Sequence, residues 1–375
     1  MNPSRLTGPP MRLRLGNQLL PMVGHVRMYV CGITPYDVTH LGHAATYVWT
    51  DALERVLRWH GHSVTLARNI TDVDEVLFAE AHRRGEPYTM LATLQRAAFE
   101  GTMATLQVRP PDLQPSAAQH IGHVVQLAVA LLEKDAAYER GGTVYARTAH
   151  AAGQAGLTRD TALALSAEYH DHPEDSDKED PLDVTVWQAS GPDDDVSWPS
   201  PWGDGRPGWH AECAAMVLAL FGSGVDIHCG GGDLAFPHHA CEAALGEGAT
   251  GVTPFARGWL RAGIVSINGA KMAKSAGNLV LVEDLLRAHT PGAIRLMLLN
   301  RPWGQPWEFA PEALDEAEAT LERLYSAASR SSVAPGAAAV PAALLDDLDV
   351  PRAVAIALDD GGQAARTLIE ILALT

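Results

Sequence analysis

The chain has 375 residues, 47% of them hydrophobic, enough for two or three packed modules rather than one small domain. No apolar run reaches the ~18 residues of a membrane span, and four cysteines (Cys31, Cys213, Cys229, Cys241) are too few to staple a fold of this length with disulfides. A formal net charge of −17 opposes nucleic-acid backbone binding by the chain as a whole, while leaving room for a local basic groove. Residues 1–21 lack the basic-then-apolar order of a signal peptide, so a cytoplasmic protein is expected.

Along the chain, Val26, Met28 and Val30 alternate and predict a strand over 25–30, followed by a turn-rich loop from Cys31 to Asp37. Tyr47, Val48, Leu53, Val56 and Leu57 at helical spacing predict a helix over 44–60, stopped by Gly61. Residues 64–67 form the next expected strand. Strand, loop, helix, strand opens a doubly wound α/β fold, whose ligand sits at the carboxyl ends of the strands.

Residues 88–134 read as helical, interrupted at Arg109-Pro110-Pro111, with Ser116 as N-cap of the later helix. A short strand is expected over 144–147. Residues 171–183 and Asp193-Asp194-Asp195 read as solvated acidic loop. A helix should follow Trp209-His210, a strand cover 225–228, and another helix follow Pro237. Asn268-Gly269 signals a hairpin. Beyond Pro311 the chain is Ala- and Leu-rich helix, broken by a flexible stretch over 329–341. The organisation read from this is a first half of a nucleotide-binding core (1–110), a connecting insertion (111–197), the second half of the core (198–265), a lysine-loop region (266–310) and a helical C-terminal region (311–375).

Three patterns carry chemistry. His40-Leu41-Gly42-His43 lies between a strand and a helix; Gly42 lets a nucleotide approach the backbone, and the imidazoles and helix start offer donors to phosphate. Lys271-Met272-Ala273-Lys274-Ser275 follows the hairpin and holds two of the chain's four lysines. In a chain that otherwise uses arginine, this clustering points to compact ammonium groups for neutralising a departing pyrophosphate. Finally, His238 and Glu242 share a helix face; with Cys31 and Cys213 they would make a donor set suited to tetrahedral zinc, with Cys229 and Cys241 as rival ligands, but spacing alone does not establish the site and inert buried cysteines are the alternative.

The HxGH and KMxKS-like pair resembles the class I aminoacyl-tRNA synthetase signature. The wording of 28–37, 68–74, 198–203, 205–213 and 230–239 looks like the cysteinyl-tRNA synthetase family and its sister branch, the mycothiol cysteine ligases. Thr34-Pro35 and His40 to Thr46 lean toward the ligases. So does the brevity of the chain after Asp346 to Pro351, where a tRNA synthetase of this family continues into an anticodon-binding domain. The resemblance implies a Rossmann-like class I catalytic core with a helical insertion and α-helical tail, and cysteine activation with ATP and Mg²⁺. His40, His43, Lys271 and Lys274 would be catalytic, and one Zn²⁺ per chain would sit on Cys31, Cys213, His238 and Glu242. Asp233 would meet the substrate ammonium. Gly32, Ile33, Thr34, Gly42, Thr46, Asn69, Ile70, Thr71, Trp209, Gly231, Gly232, Ile264 and Ser275 would line the ATP, adenylate and cysteine pocket. The implied acceptor is a small amine, glucosaminyl-inositol, with no role for tRNA or membrane. A shortened cysteinyl-tRNA synthetase, a paralogue charging another small amine and a non-catalytic relative are the alternatives. Three positions depart from the ligase pattern: Ala273 replaces a serine, His170-Asp171-His172-Pro173 replaces a Gly-Gly-Asp-Pro stretch, and Glu242 follows the tRNA-synthetase metal pattern.

Overall fold

A computed structural model describes residues 12–36, 39–192, 194, 196–272, 277–331 and 336–375. At its centre is a parallel sheet with strand order Ala256–Ala262, Val225–Gly231, His25–Ile33, Ser63–Ile70. The chain begins this sheet in the interior, steps to one side for Ser63–Ile70, and returns on the other side for Val225–Gly231. The strand order therefore reverses between His25–Ile33 and Val225–Gly231. At such a switch point a crevice opens beyond the carboxyl ends of the strands. His25–Ile33 is buried on both faces. Val26, Met28 and Val30 join the core shared with the helix Leu41–Trp59, and Tyr29 and Cys31 pack toward Trp209–Phe221. The expected doubly wound α/β core is present.

Local differences from the sequence reading have physical causes. Cys31, Gly32 and Ile33 continue the strand instead of forming loop, and the neighbouring strand extends to Ile70, because the Gly32 amide donates to Asn69 Oδ1 at 2.7 Å across a register shift. Asp37, the end of the expected loop, lies outside the described residues. The helix starts at Leu41, three residues early, because His40 caps it: its Nδ1 accepts from the Gly42 amide at 3.1 Å. Ser116 is not a helix cap. Ile121–Glu133 begins after His120 without a side-chain cap, and Ser116 instead bridges to Ile70 at the sheet edge. The helix Glu75–Arg84, capped by Asp74, has no counterpart in the sequence reading.

Between Ser63–Ile70 and Val225–Gly231 stands a second sheet, antiparallel, with strands Ala137–Arg140, Thr143–Ala146, Val184–Ala189 and Gly205–Pro207. The helices His150–Gln154 and Arg159–Glu168 come off it. The acidic run that follows them is mostly exposed or half-buried, as expected, but it is anchored at a few buried points. Asp183 is buried and accepts from Tyr138 Oη at 2.9 Å and the Thr148 amide at 3.1 Å. Lys178 is also buried, and its ammonium donates to the carbonyl of Asp171. Asp193 and Asp195 lie outside the described residues.

The hairpin is as expected: Val265–Ile267 pairs with Ala270–Lys271, and Asn268 and Gly269 take φ of +52° and +75°. The tail comprises Glu312–Ala328, Gly336–Leu345, Val350–Asp360 and Gly362–Leu372. Gly336–Leu345 takes up half of the stretch expected to be flexible and contains Pro341, because Val340, Ala343 and Leu344 bury against the core. The tail is tied in by Arg295, fully buried, which donates to Asp51 Oδ2 at 2.6 Å and to the Leu372 carbonyl at 2.9 Å. Removing either partner of such a pair strands a buried charge. Among the described residues no helix is long and apolar enough to cross a membrane.

Candidate active site

The switch-point crevice is a cleft of about 840 Å³. It is lined by Cys31, Gly32, Ile33 and Thr34 from the end of the first strand and by His40, Gly42, His43 and Thr46 from the helix start. Asn69 and Thr71, Trp209 and Cys213, and Gly231, Asp233, His238, Ile264 and Lys271 complete the sequence-singled residues in its wall. Three others stand apart. Ile70 turns its side chain into the core, Glu242 is fully buried behind the floor, and Gly232 faces an adjoining cavity. Ala273, Lys274 and Ser275 lie outside the described residues.

Backbone chemistry shapes this wall. A Cβ on Gly32 would sit 1.6 Å from the Asn69 carbonyl oxygen, so only glycine lets the two strand ends approach. Asn69 then reaches onward, its Nδ2 donating to Thr71 Oγ1 at 3.2 Å. A Cβ on Gly231 would meet Asp233 Oδ1 at 2.4 Å.

At the phosphate end, the His40 and His43 rings stack at 3.8 Å. Since His40 Nδ1 accepts from the helix backbone, its proton is on Nε2. Burial, with the neighbouring His40, lowers the His43 imidazole to about 3, so it is neutral at physiological pH. Beside them the first helical turn of Leu41–Trp59 offers backbone donors to an anion. Lys271 Nζ donates to Asp233 Oδ2 at 2.7 Å and to Tyr169 Oη at 3.2 Å. Burial pulls this ammonium down, but Asp233 outweighs it and holds the group above its ordinary value.

At the floor, one donor atom each from Cys31, Cys213, His238 and Glu242 lies within 4.8 Å of the others, all four residues buried. His238 Nε2 is 2.7 Å from Glu242 Oε1, and Cys31 Sγ is 3.3 Å from the same oxygen. A hydrogen bond from Cys31 is the main influence lowering the Cys213 thiol to about 6, against burial. Burial pulls the His238 imidazole down, and the Glu242 charge with the Cys213 hydrogen bond overcomes it, leaving His238 at about 10. Two thiols, an imidazole and a carboxylate converging at this range can hold a metal ion. The rival cysteines do not converge: Cys229 and Cys241 sit in separate apolar clusters. A second candidate group, Cys31 with His228 and His239, shares one thiol with the first. Arg261 donates to His239 Nδ1 at 3.2 Å there, placing a cation against it.

Several residues around the floor escaped the sequence reading. His210 Nδ1 is 2.8 Å from His238 Nδ1, and His210 Nε2 donates to Asp171 Oδ1 at 2.9 Å. This fixes a string in which His238 donates from Nδ1 to His210 and turns Nε2 toward Glu242 and the thiols. His228 Nε2 donates to Glu242 Oε2 at 2.8 Å. Trp209 stacks on His238 at 4.1 Å, and Tyr169 stacks on Trp209 at 6.2 Å. His210 had a usable signal, three residues before Cys213 on one helix. Tyr169 had none, and Asp171 entered the sequence reading only as part of the acidic run and of the His170–Pro173 departure, with no link to the metal donors.

The family model of the class I (C) tRNA synthetase catalytic domain matches residues 20–319. A ligase of Acidothermus cellulolyticus, the L-cysteine:1D-myo-inositol 2-amino-2-deoxy-alpha-D-glucopyranoside ligase, is 44% identical over 339 residues, covering 88% of this chain and 83% of its own. The cysteine–tRNA ligase of Chromohalobacter salexigens is 41% identical over 345 residues, covering 90% of this chain and 74% of its own. Among solved structures, Mycobacterium tuberculosis methionyl-tRNA synthetase in complex with methionyl-adenylate superposes with a TM-score of 0.63 at 18% identity, over 94% of this chain and 82% of that one. At that identity the likeness concerns the fold.

Proposed function

The chain belongs to the family of class I (C) tRNA synthetase catalytic domains and is an ATP-dependent ligase, and on that premise we propose that it activates L-cysteine as cysteinyl-adenylate and transfers it to the amine of glucosaminyl-inositol, forming an amide. The observation that carries the reading is the meeting of two chemistries in one cleft: a four-donor metal group on the floor and the His40, His43 and Lys271 side chains along the wall.

In the first half-reaction the cysteine carboxylate attacks the α-phosphate of ATP, and pyrophosphate leaves. His40 Nε2–H, the neutral His43 imidazole as a further donor, the helix-start amides, Lys271 and Lys274 stabilise the charge that builds on the phosphates, with Mg²⁺ entering on ATP. Asp233 takes the substrate ammonium once Lys271 turns to phosphate. Cys31, Cys213, His238 and Glu242 fit one Zn²⁺, which when bound supplies a soft Lewis acid that prefers a thiolate to a serine hydroxyl. Trp209, packed flat on His238, closes the side of the thiol pocket and excludes water. Selection at this depth needs no separate editing site. The setting we assign is cytoplasmic, where ATP and reduced cysteine meet.

A second reading, cysteinyl-tRNA formation, is favoured by one feature, the Glu242 carboxylate in the donor group. The test is cysteine-dependent ATP–pyrophosphate exchange followed by AMP release with glucosaminyl-inositol or tRNA added separately. Amine-stimulated AMP release with no charged tRNA supports the ligase. Robust cysteinyl-tRNA formation overturns it.

A further inference from the structure

Beside the cleft lies a second cavity of about 620 Å³, within the size range of small-molecule sites. The two share Asp233, Ile264 and Lys271, and the partition between them is the hydrogen-bonded group Tyr169–Lys271–Asp233. We propose that this second cavity is the acceptor site, and that it takes a small hydroxylated amine of the aminosugar class. The assignment rests on the two-step ligase reading and adds the place where the second substrate binds.

Geometry supports it. One wall is built by the inserted segment, through Leu165, Glu168 and Tyr169, and the other by the second half of the core, through Phe236, Ala240 and Arg261. A nucleophile held there needs to pass only the Tyr169–Asp233 partition to reach a carbonyl carbon in the first cleft. Tyr169 also touches both sides, since its ring stacks on Trp209 of the thiol pocket while its hydroxyl accepts from Lys271.

Charge selects the class of ligand. Both cations of the lining are already engaged: Lys271 with Asp233, and Arg261 with His239, its guanidinium 4.5 Å from the Trp259 ring centroid. Glu168 is exposed at the rim, and its carboxylate makes no ion pair among the described residues. This rim carboxylate attracts an ammonium and repels a phosphodiester chain. The apolar faces of Leu165 and Phe236 suit the C–H faces of a sugar ring.

In the reaction the amine attacks as its free base and forms the C–N bond to the adenylate carbonyl carbon. The C–O bond to the phosphate breaks, AMP leaves with the electron pair, and the proton shed by nitrogen passes to water at the cavity mouth.

The test uses Glu168→Gln and Gln154→Trp, both at exposed positions on the rim. The first removes the charge and the second narrows the opening. The expected result is cysteine-dependent pyrophosphate exchange within about twofold of the parent, with the KM for glucosaminyl-inositol raised about tenfold, the size of one lost charge-assisted contact. Unchanged KM in both variants, in a parent protein that does consume the amine, overturns this assignment alone. Pyrophosphate exchange lost in both variants also overturns it, because the cavity would then serve the first step. A parent that exchanges pyrophosphate, ignores the amine and charges tRNA overturns the ligase reading and this assignment together.

Discussion

His210 donates from Nε2 to Asp171 Oδ1 at 2.9 Å, joining a loop of the inserted segment to the metal-donor group of the core. The other nitrogen of His210 lies against His238, so Asp171 orients a donor two residues removed from it. Hydrogen-bond partners of this kind set the tautomer and angle of a ligating imidazole, and their loss costs roughly 10- to 100-fold in metal affinity. Asp171→Ala is therefore expected to release zinc at least about tenfold more readily to a chromogenic chelator, with unchanged circular dichroism. Zinc retention equal to the parent's would mean that the contact only anchors the loop.

Zinc content should follow the donor group and ignore the other thiols. Cys213→Ser and His238→Ala are expected to lose the one zinc per chain. Cys229→Ala and Cys241→Ala should keep it, since both thiols sit in separate apolar clusters away from the converging donors. Metal analysis of protein purified without added zinc decides this. Loss in either of the latter pair would reassign the ligands.

The reach of the sequence ended where contacts stopped being local. The HLGH turn and the Asn268-Gly269 hairpin are written in adjacent residues, and helical periodicity gives the long helix behind His40. The quartet of Cys31, Cys213, His238 and Glu242 is spread over more than two hundred residues, and only the family wording tied it together. Ile70 looked equivalent to Asn69 and Thr71 in the motif, yet alternation along an extended strand sends its side chain to the core. The acidic run concealed Asp171 and Asp183 among true surface carboxylates, because composition carries no information about which member finds a buried partner.

Lys271→Ala and Lys274→Ala should each lower cysteine-dependent pyrophosphate exchange by about 100-fold, as expected for removing a contact that strengthens in the transition state. Cysteine binding, measured by calorimetry without ATP, should change much less. Lys271 carries an additional signature: its loss frees Asp233 and Tyr169, so the KM for the acceptor amine should move as well. Normal exchange in Lys274→Ala would remove the KMAKS stretch from the catalytic assignment.

Gly32→Ala places a methyl group 1.6 Å from the Asn69 carbonyl. Nothing flexible can yield there, because the obstacle is backbone of the neighbouring strand. The strand ends must part, breaking the Gly32–Asn69 hydrogen bond and shifting Thr34 and Thr71 at the mouth of the cleft. The expected cost is about 3 kcal/mol in guanidinium unfolding, at the upper end for overpacking, with exchange activity reduced at least about tenfold. Wild-type stability would show that the strand ends are looser than this approach implies.

His43 makes stability depend on pH in a defined direction. Its imidazole is held at about 3 in the folded protein, whereas an unfolded histidine takes up a proton near ~6.5. The unfolded chain then binds more protons below that value. The stabilising contribution is complete above pH ~6.5 and is lost as the pH falls from there toward 3. For a side chain that keeps some exposure, the expected slope is roughly 1 kcal/mol per pH unit. His43→Gln removes the titrating group. The stability gap between parent and variant, measured by guanidinium unfolding, should therefore narrow by roughly 1 kcal/mol between pH 7.5 and pH 5.5. A gap that stays constant over that interval would show that His43 takes up its proton in the folded protein as readily as in the unfolded one, and the neutral donor assigned to the phosphate wall would have to be withdrawn.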